Sequence, residues 1–237
     1  MPPSAPGLQW PKPHAATASL AAAGALAQPV AVTPGGQTSA YVSANGVTVV
    51  NIAGANAAGL SHNRYQQFNV DPKGLVLNNT TAAQAQYASQ LAGQVVANYN
   101  MSATAKVTPN EVMTTNRSGV AGFTEVVGGR ADVVLANPYG ITCGGCGFIN
   151  TDRVTLTTGT PNINPDGSLK GFSVNQGDIL IQGNGLNGTA QQILDLVTRS
   201  VKIDGQVNTQ DLGITTGANT WDYASRTVTG PAAASGT

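Results

Sequence analysis

The stretch Asn137-Pro138-Tyr139-Gly140-Ile141, which continues as Thr142-Cys143-Gly144-Gly145-Cys146, is the most informative part of this 237-residue chain. Asn-Pro-x-Gly favours a tight turn, because proline fixes one backbone angle while asparagine and glycine tolerate left-handed conformations. The glycines beside the cysteines favour a loop over the helix start that a thioredoxin-like CxxC requires. The segment is therefore predicted to form a corner of the chain.

Short segments rich in Val, Ile and Thr surround this corner and predict strands, among them residues 47–52, 74–79, 131–136, 178–183 and 201–205. They recur at intervals of roughly 10 to 20 residues, with Gly and Asn between them. Leu156-Thr157-Thr158-Gly159 also recurs as Ile214-Thr215-Thr216-Gly217. This spacing favours a β-solenoid, although a β-sandwich has similar strand intervals.

Three local features predict other structures. Residues 81–96 are rich in Ala and Gln and lack proline, so they predict a helix, with a long loop as the alternative. Residues 189–197 place Ile193, Leu194 and Val197 on one helical face, and this also predicts a helix. Gly128-Gly129 predicts a hairpin turn between the strands on either side.

The composition favours an extracytoplasmic protein. Only 9% of the residues are charged, against about 25% in ordinary soluble domains, and 11 basic residues balance 11 acidic ones. Such a chain has no net field that would attract nucleic acid or anionic lipid. No apolar run of 18 or more residues predicts a membrane-spanning helix.

Composition also divides the chain into three parts. Residues 1–30 predict a disordered leader or the remnant of a signal peptide, because residues 15–27 are Ala-rich and end in Ala25-Leu26-Ala27. Residues 31–229 predict one β domain, and residues 230–237 predict a linker. Because a β-solenoid ending there would expose an unpaired coil, we expect the chain to be the front part of a longer protein.

The inventory of reactive side chains argues against an enzyme. Outside the leader, His62 is the only histidine, and it is predicted to be a surface or hydrogen-bonded residue, since no Gly-x-Ser-x-Gly motif accompanies it. Cys143 and Cys146 have no second ligand pair for zinc, so a small local disulfide is favoured over a free dithiol. We expect no catalytic residue, no metal, no cofactor and no small-molecule substrate. A polysaccharide lyase is the enzymatic alternative.

Several motifs, in order along the chain, resemble one known family. They are Asn63-Arg64-Tyr65-Gln66-Gln67-Phe68-Asn69-Val70, Gly74-Leu75-Val76-Leu77-Asn78-Asn79, Asn137-Pro138-Tyr139-Gly140-Ile141, Thr142-Cys143-Gly144-Gly145-Cys146-Gly147-Phe148-Ile149-Asn150-Thr151 and Arg153-Val154-Thr155-Leu156-Thr157-Thr158-Gly159. This pattern resembles the two-partner secretion (TPS) domains of filamentous-haemagglutinin-like and contact-dependent growth-inhibition exoproteins.

Two motifs depart from the family pattern. Asn98-Tyr99-Asn100-Met101 stands where the family often has Asn-Pro-Asn-Leu, and Tyr139 stands where it has a second asparagine.

The resemblance implies a right-handed parallel β-helix with an N-terminal β cap and extra-helical strands. It also implies a secreted or cell-surface protein that passes through the periplasm. The POTRA domains of a cognate TpsB-type outer-membrane transporter would recognise the domain, which would then nucleate β-helix folding on export. Residues Asn98, Tyr99, Asn100 and Met101, with residues 137–141, would be either recognition sites or turn-forming parts of the scaffold. We expect a monomer.

The alternative function is an adhesive β-helix that binds a host surface or glycan. An exposed row of aromatic residues would favour it. The candidates are Tyr65, Tyr87, Tyr99, Tyr139, Trp221 and Tyr223.

Overall fold

In the computed structural model, which describes residues 29–231, the chain folds as a right-handed parallel β-helix. The described residues contain no α-helix, and three sheets form the walls of the solenoid. Sheet I contains, in spatial order, β1 (Val30–Val32), β4 (Asn63–Phe68), β8 (Val107–Val112), β11 (Asp132–Ala136), β14 (Arg153–Thr157), β19 (Ile193–Thr198) and β22 (Leu212–Thr216). Sheet II contains β2 (Ser39–Val42), β3 (Thr48–Asn51), β5 (Leu75–Asn79), β10 (Phe123–Gly128), β13 (Cys146–Ile149), β18 (Leu186–Gly188) and β21 (Val207–Thr209). Sheet III contains β9 (Ser118–Val120), β12 (Ile141–Cys143), β17 (Asp178–Ile181) and β20 (Ser200–Ile203).

Each full coil passes through sheets II, I and III in turn, as the run β10, β11 and β12 illustrates. Val133 pairs in register with Val154, so this coil takes 21 residues. Leu156, Leu196 and Ile214 occupy one column of sheet I, in three successive coils. The recurrence of a Leu/Ile-Thr-Thr-Gly sequence therefore has a structural basis, and the β-helix predicted from the strand spacing is confirmed.

Antiparallel strands cap the N-terminal end of the solenoid. The first strand of sheet I, β1, pairs antiparallel with β4, and the first strand of sheet II, β2, pairs antiparallel with β3. The cap and the extra-helical strands agree with the prediction.

Alternation along the strands separates the solenoid interior from its outer surface. In β11, Val133 and Leu135 point into the main core, whereas Val134 and Ala136 pack into a second cluster outside sheet I. Both sets are buried, so this strand reads as a continuous apolar run rather than an alternating one. Each fully buried aliphatic side chain stabilises the fold by roughly 1.5–3 kcal/mol.

Two extra-helical units bury the outer faces of sheets I and II. Sheet IV, made of β15 (Gly159–Ile163), β16 (Leu169–Val174), β23 (Asn219–Asp222) and β24 (Thr227–Gly230), covers sheet I. Its Phe172 and Trp221 rings stack with centroids 5.8 Å apart. A hairpin of β6 (Gln86–Ser89) and β7 (Gly93–Val96) covers sheet II and is held there by Glu125, whose carboxylate accepts hydrogen bonds from Ser89 Oγ and the Leu91 backbone N–H.

Three local predictions are wrong. Residues 81–96 form the β6–β7 hairpin, because Tyr87 and Val95 pack on sheet II. Residues 189–197 form a turn and most of β19, in which Leu194 and Leu196 point inward with the period of a strand. Gly128-Gly129 lies at a corner between sheets II and I rather than in a hairpin.

The predicted leader and linker lie largely outside the described residues. Residues 1–28 and 232–237 are beyond them, β1 begins at Val30, and Gly230 belongs to β24. No helix within residues 29–231 is long and apolar enough to cross a membrane.

Candidate functional site

The Asn137 motif forms a closed turn at the corner between β11 of sheet I and β12 of sheet III. Asn137 is fully buried, and its Nδ2 donates to the Asn116 carbonyl oxygen at 2.8 Å and to Ser118 Oγ at 2.9 Å. Its Oδ1 accepts from the Tyr139 backbone N–H at 3.0 Å, and the Gly140 N–H donates to the Asn137 carbonyl oxygen at 3.0 Å. One side chain thus closes the turn and joins it to the preceding coil.

The Asn98 motif forms the same kind of turn where the chain leaves the β6–β7 hairpin for sheet I. Asn98 is 1% exposed, and its Nδ2 donates to the carbonyl oxygens of Ile52 at 2.8 Å and Asn78 at 2.9 Å. Its Oδ1 accepts from the Asn100 N–H at 3.1 Å, and the Met101 N–H donates to the Asn98 carbonyl oxygen at 3.1 Å. The two motifs therefore share one hydrogen-bonding plan.

Each turn is also anchored by an apolar side chain. Met101, the fourth residue of the first turn, is 3% exposed and lies in the solenoid core. Ile141, which follows the second turn, is fully buried in the same core. Both turns hold a corner of the chain against the interior of the solenoid.

The departures from the family pattern fall on exposed side chains. Tyr99 is 75% exposed and Tyr139 is 45% exposed, whereas both turn asparagines are buried. A change at an exposed turn position leaves the hydrogen bonds of the buried asparagine in place. Pro138 and Gly140 keep the backbone restrictions of the second turn.

Sequence reasoning missed an arginine that spans three coils beside the second turn. Arg117 Nε donates to Thr142 Oγ1 at 2.7 Å, its Nη2 donates to the Ile141 carbonyl oxygen at 3.0 Å, and its guanidinium pairs with the Asp178 carboxylate. The hydrogen bonds that the Arg117 guanidinium donates to the Asp178 carboxylate hold the pKa of Asp178 below its usual value. No local pattern around Arg117 could have indicated this contact, because its partners lie 24 to 61 residues further along the chain.

The Arg117 side chain explains why the second turn contains a glycine. Gly140 has a φ angle of +108°, which residues other than glycine rarely adopt. A Cβ atom there would collide with the Arg117 guanidinium and lie 2.9 Å from the Asp178 carbonyl oxygen. The glycine is required both by the turn and by the arginine that crosses it.

Cys143 and Cys146 are joined by a disulfide at the next corner, between sheets III and II. Their Cα atoms are 5.5 Å apart, and both side chains lie in the solenoid core.

The predicted motif residues do not converge on one site. The Asn98 turn lies at a corner between sheets II and I, and the Asn137 turn lies at a corner between sheets I and III. Of the aromatic candidates for a glycan-binding row, Tyr65, Trp221 and Tyr223 are buried, and Tyr87 is half-buried against sheet II. The exposed Tyr99 and Tyr139 sit on different corners, so they do not form such a row.

The reactive side chains of the described region serve structural contacts. His62 Nε2 lies 2.8 Å from Glu111 Oε2, in line with the prediction of a hydrogen-bonded histidine. The residues that the structure describes contain no group of three or more His, Cys, Asp or Glu side chains placed to hold a metal ion.

Comparison with known proteins gives consistent matches. A family model described as the TPS secretion domain matches residues 23–237. The 16S rRNA endonuclease CdiA of Enterobacter cloacae subsp. cloacae is 47% identical over 190 residues, which are 79% of this chain and 6% of that protein. The filamentous hemagglutinin of Bordetella pertussis is 39% identical over 202 residues, which are 83% of this chain and 6% of that protein.

A solved structure, the crystal structure of a filamentous hemagglutinin secretion domain, superposes with a TM-score of 0.78. It is 37% identical in sequence, and the match covers 88% of this chain and 70% of that one. The chain spans about 6% of the length of the curated relatives it matches. The nuclease names of those relatives therefore describe whole proteins, of which the matched region is a small part.

The motifs, the fold and these matches agree: the chain belongs to the TPS secretion domain family, whose exoproteins are secreted or displayed at the cell surface.

Proposed function

We propose that this domain is the N-terminal secretion signal of a longer exoprotein, and that its transporter recognises the domain while the domain is unfolded. Membership of the TPS family implies a cognate TpsB-type transporter. In the proposed route the POTRA domains of that transporter capture the chain in the periplasm. The chain then crosses the outer membrane and folds outside, where its last coil nucleates the β-helix that follows.

The burial of the two turn asparagines carries this proposal. Asn98 and Asn137 are 1% and 0% exposed, and their amide groups bond to backbone or side-chain partners within the domain. A partner could not contact these side chains without opening a coil corner. If the transporter recognises the motifs, it therefore does so while the chain is extended, when its backbone can also add to a POTRA sheet edge.

The low charge of the chain supports passage through a barrel. With 9% charged residues, an extended chain has few ionic groups to remove from water in a narrow channel.

The C-terminal end of the solenoid supports the nucleation step. Ile203 and Ile214 are 41% and 45% exposed, although each lies in register with a buried residue of the preceding coil, Ile181 and Leu196 respectively. Within residues 29–231, part of the apolar interior of the last coil is thus open to solvent. A further coil would bury these side chains and pair with the outer edges of β20, β21 and β22, which have a partner on one side only among the described residues.

A binding measurement with the periplasmic POTRA part of the transporter tests capture. The immobilised POTRA fragment is presented with this chain in native form and after dilution from urea. We expect the freshly diluted chain to be retained and the folded chain to pass through. Retention of the native form alone would show that a folded surface is recognised.

Substitutions of the asparagines separate recognition from folding. We expect Asn98→Asp and Asn137→Asp to lower export, with Asn184→Asp, at an exposed position in the turn before β18, as the matched control. The same variants are then compared in binding from the urea-unfolded state, where no fold is left to lose. Weaker binding assigns the residues to recognition, whereas unchanged binding with poor export assigns them to the scaffold and overturns their recognition role.

A further inference from the structure

The Cys143–Cys146 disulfide is enclosed between neighbouring coils. The two side chains are 0% and 1% exposed. Cys143 lies in register with Val120 of the preceding coil and Ile181 of the following coil, and its Sγ is 3.2 Å from the Gly185 carbonyl oxygen. The following coil therefore covers the bond.

This burial restricts when the bond can form. Thiol–disulfide exchange requires a thiolate to reach a sulfur atom of the partner disulfide through a mixed-disulfide intermediate. A protein oxidant cannot approach sulfur atoms that have no exposed surface. The cysteines must therefore meet their oxidant before β17 and β18 stack over them.

The spacing of the cysteines makes early oxidation compatible with export. The bond joins residues three positions apart, with Cα atoms 5.5 Å from each other, whereas three extended residues span about 10–11 Å. It shortens the chain by about 5 Å and cross-links no distant segments. An unfolded chain that carries it remains a single strand with one local bend.

We infer that a periplasmic thiol–disulfide oxidoreductase oxidises Cys143 and Cys146 in the unfolded chain before export, so that the chain leaves the cell with this corner already formed. The inference rests on the periplasmic route of the proposed function. One cysteine thiolate attacks the disulfide of the oxidoreductase, and the second thiolate then displaces it from the mixed disulfide. Two protons leave the cysteines, two electrons pass to the oxidoreductase, and the oxidoreductase departs as a dithiol.

The redox state of the periplasmic chain tests the inference. The 237-residue chain is expressed behind a cleavable secretory signal peptide in cells depleted of its transporter. The periplasmic chain is quenched in acid, denatured, and treated with a maleimide polymer before or after reduction. Because the chain has two cysteines, we expect no adduct before reduction and two adducts after it. Cells that lack the periplasmic oxidoreductase should give two adducts without reduction.

Two free thiols in the periplasmic chain, with a disulfide only in the exported protein, would overturn the inference. The Cys143→Ser/Cys146→Ser double variant is the control for labelling and should give no adduct. The thiol readout does not depend on capture by the transporter. Failure of the proposed function would instead appear as equal export with and without the transporter.

A cysteine pair that joins distant residues tests whether export tolerates the native disulfide because its two cysteines are close in sequence. Thr142 and Leu180 pair in register in sheet III, 38 residues apart. In the double-serine background, Thr142→Cys/Leu180→Cys should lose export when the oxidoreductase is present and regain it when the oxidoreductase is absent. Undiminished export of the oxidised long-range variant would contradict the argument from spacing.

Discussion

The Asn98 turn and the Asn137 turn use the same buried asparagine for different purposes. In both, the side chain closes the turn through its Oδ1 and reaches two neighbouring groups through its Nδ2. They differ in the fourth residue, which is Met101 in the first turn and Gly140 in the second. Met101 fills the core, whereas Gly140 leaves room for the guanidinium of Arg117.

The comparison shows which positions of the motif carry physical constraints. The asparagine is fixed by hydrogen-bond geometry, and the fourth residue is fixed by the contacts of its own corner. Between these two positions Tyr99 and Tyr139 are exposed, so their departures from the family pattern are accommodated. Five predictions test how strongly each of these positions stabilises its turn. In each, the measurement is the free energy of unfolding in urea.

The largest effect is expected from Asn137→Asp and Asn98→Asp, which should damage both turns alike. Each change places a carboxylate oxygen against backbone carbonyl oxygens, two at Asn98 and one at Asn137, where the Ser118 hydroxyl is the only former partner that can donate to it. An uncompensated buried charge of this kind should lower the free energy of unfolding by about 3–5 kcal/mol at neutral pH. Asn184→Asp, at an exposed position in the turn before β18, should change it by less than about 0.5 kcal/mol. A loss below about 1 kcal/mol at only one of the two asparagines would show that the turns are not equivalent.

Met101→Ala should come next, because it removes a buried side chain from the first turn alone. The transfer and cavity costs together predict a loss of about 2–4 kcal/mol. Met113→Ala is the matched control, since Met113 is 51% exposed. Similar losses for the two variants would mean that the fourth residue does not anchor the turn.

Gly140→Ala tests the corresponding position of the second turn. The strained backbone and the contact with the Arg117 guanidinium predict a loss of about 2 kcal/mol. Gly144→Ala should cost little, because the nearest atom to an added Cβ lies 4.0 Å away. In an Arg117→Ala background the cost of Gly140→Ala should shrink, since the obstructing side chain is gone. Additive costs in that double-mutant cycle would refute the contact as the cause.

A smaller, pH-dependent effect is expected from the ion pair that only the second turn possesses. Arg117 lowers the pKa of Asp178, so this carboxylate stabilises the fold above its ordinary pKa of 3.8 and the contribution disappears as the pH falls through the lowered value. Because Asp178 is 49% exposed, solvent screening limits the contribution to about 0.5–1 kcal/mol. The stability difference between the wild type and Asp178→Asn should therefore be constant near neutral pH and vanish in acid. A difference that grows as the pH falls would have the wrong sign.

The smallest effects are expected where the family residues are restored. Tyr139→Asn and Tyr99→Pro change exposed side chains and should alter the free energy of unfolding by less than about 0.5 kcal/mol. Proline at position 99 should be neutral or slightly stabilising, because it restricts the unfolded chain. A loss above about 1 kcal/mol in either variant would show that these positions constrain the turns after all.

The wrong helix predictions show the limit of local pattern reading. Residues 81–96 contain good helix formers, but Glu125, which is 34 residues beyond Leu91, bonds to the backbone there, and sheet II covers Val95. In residues 189–197, pairing of β19 with strands on both sides outweighs helical periodicity. In each case contacts distant in sequence overrode a weak local preference.

The sequence alone determined the features that depend on adjacent residues. Asn-Pro-x-Gly makes a turn, short β-branched segments make strands, and their spacing favours a solenoid over a sandwich. The order of the motifs was sufficient to indicate the family. These properties are local or periodic, so they are present in the chain before it folds.

Only the tertiary structure decided which residues meet across coils. It placed Arg117 over Gly140, buried Asn98 and Asn137, and laid sheet IV and the β6–β7 hairpin on the outer walls. The physical reason is that residues stacked in neighbouring coils are separated by about 20 residues or more along the chain. Their contacts arise from register and burial rather than from any local preference.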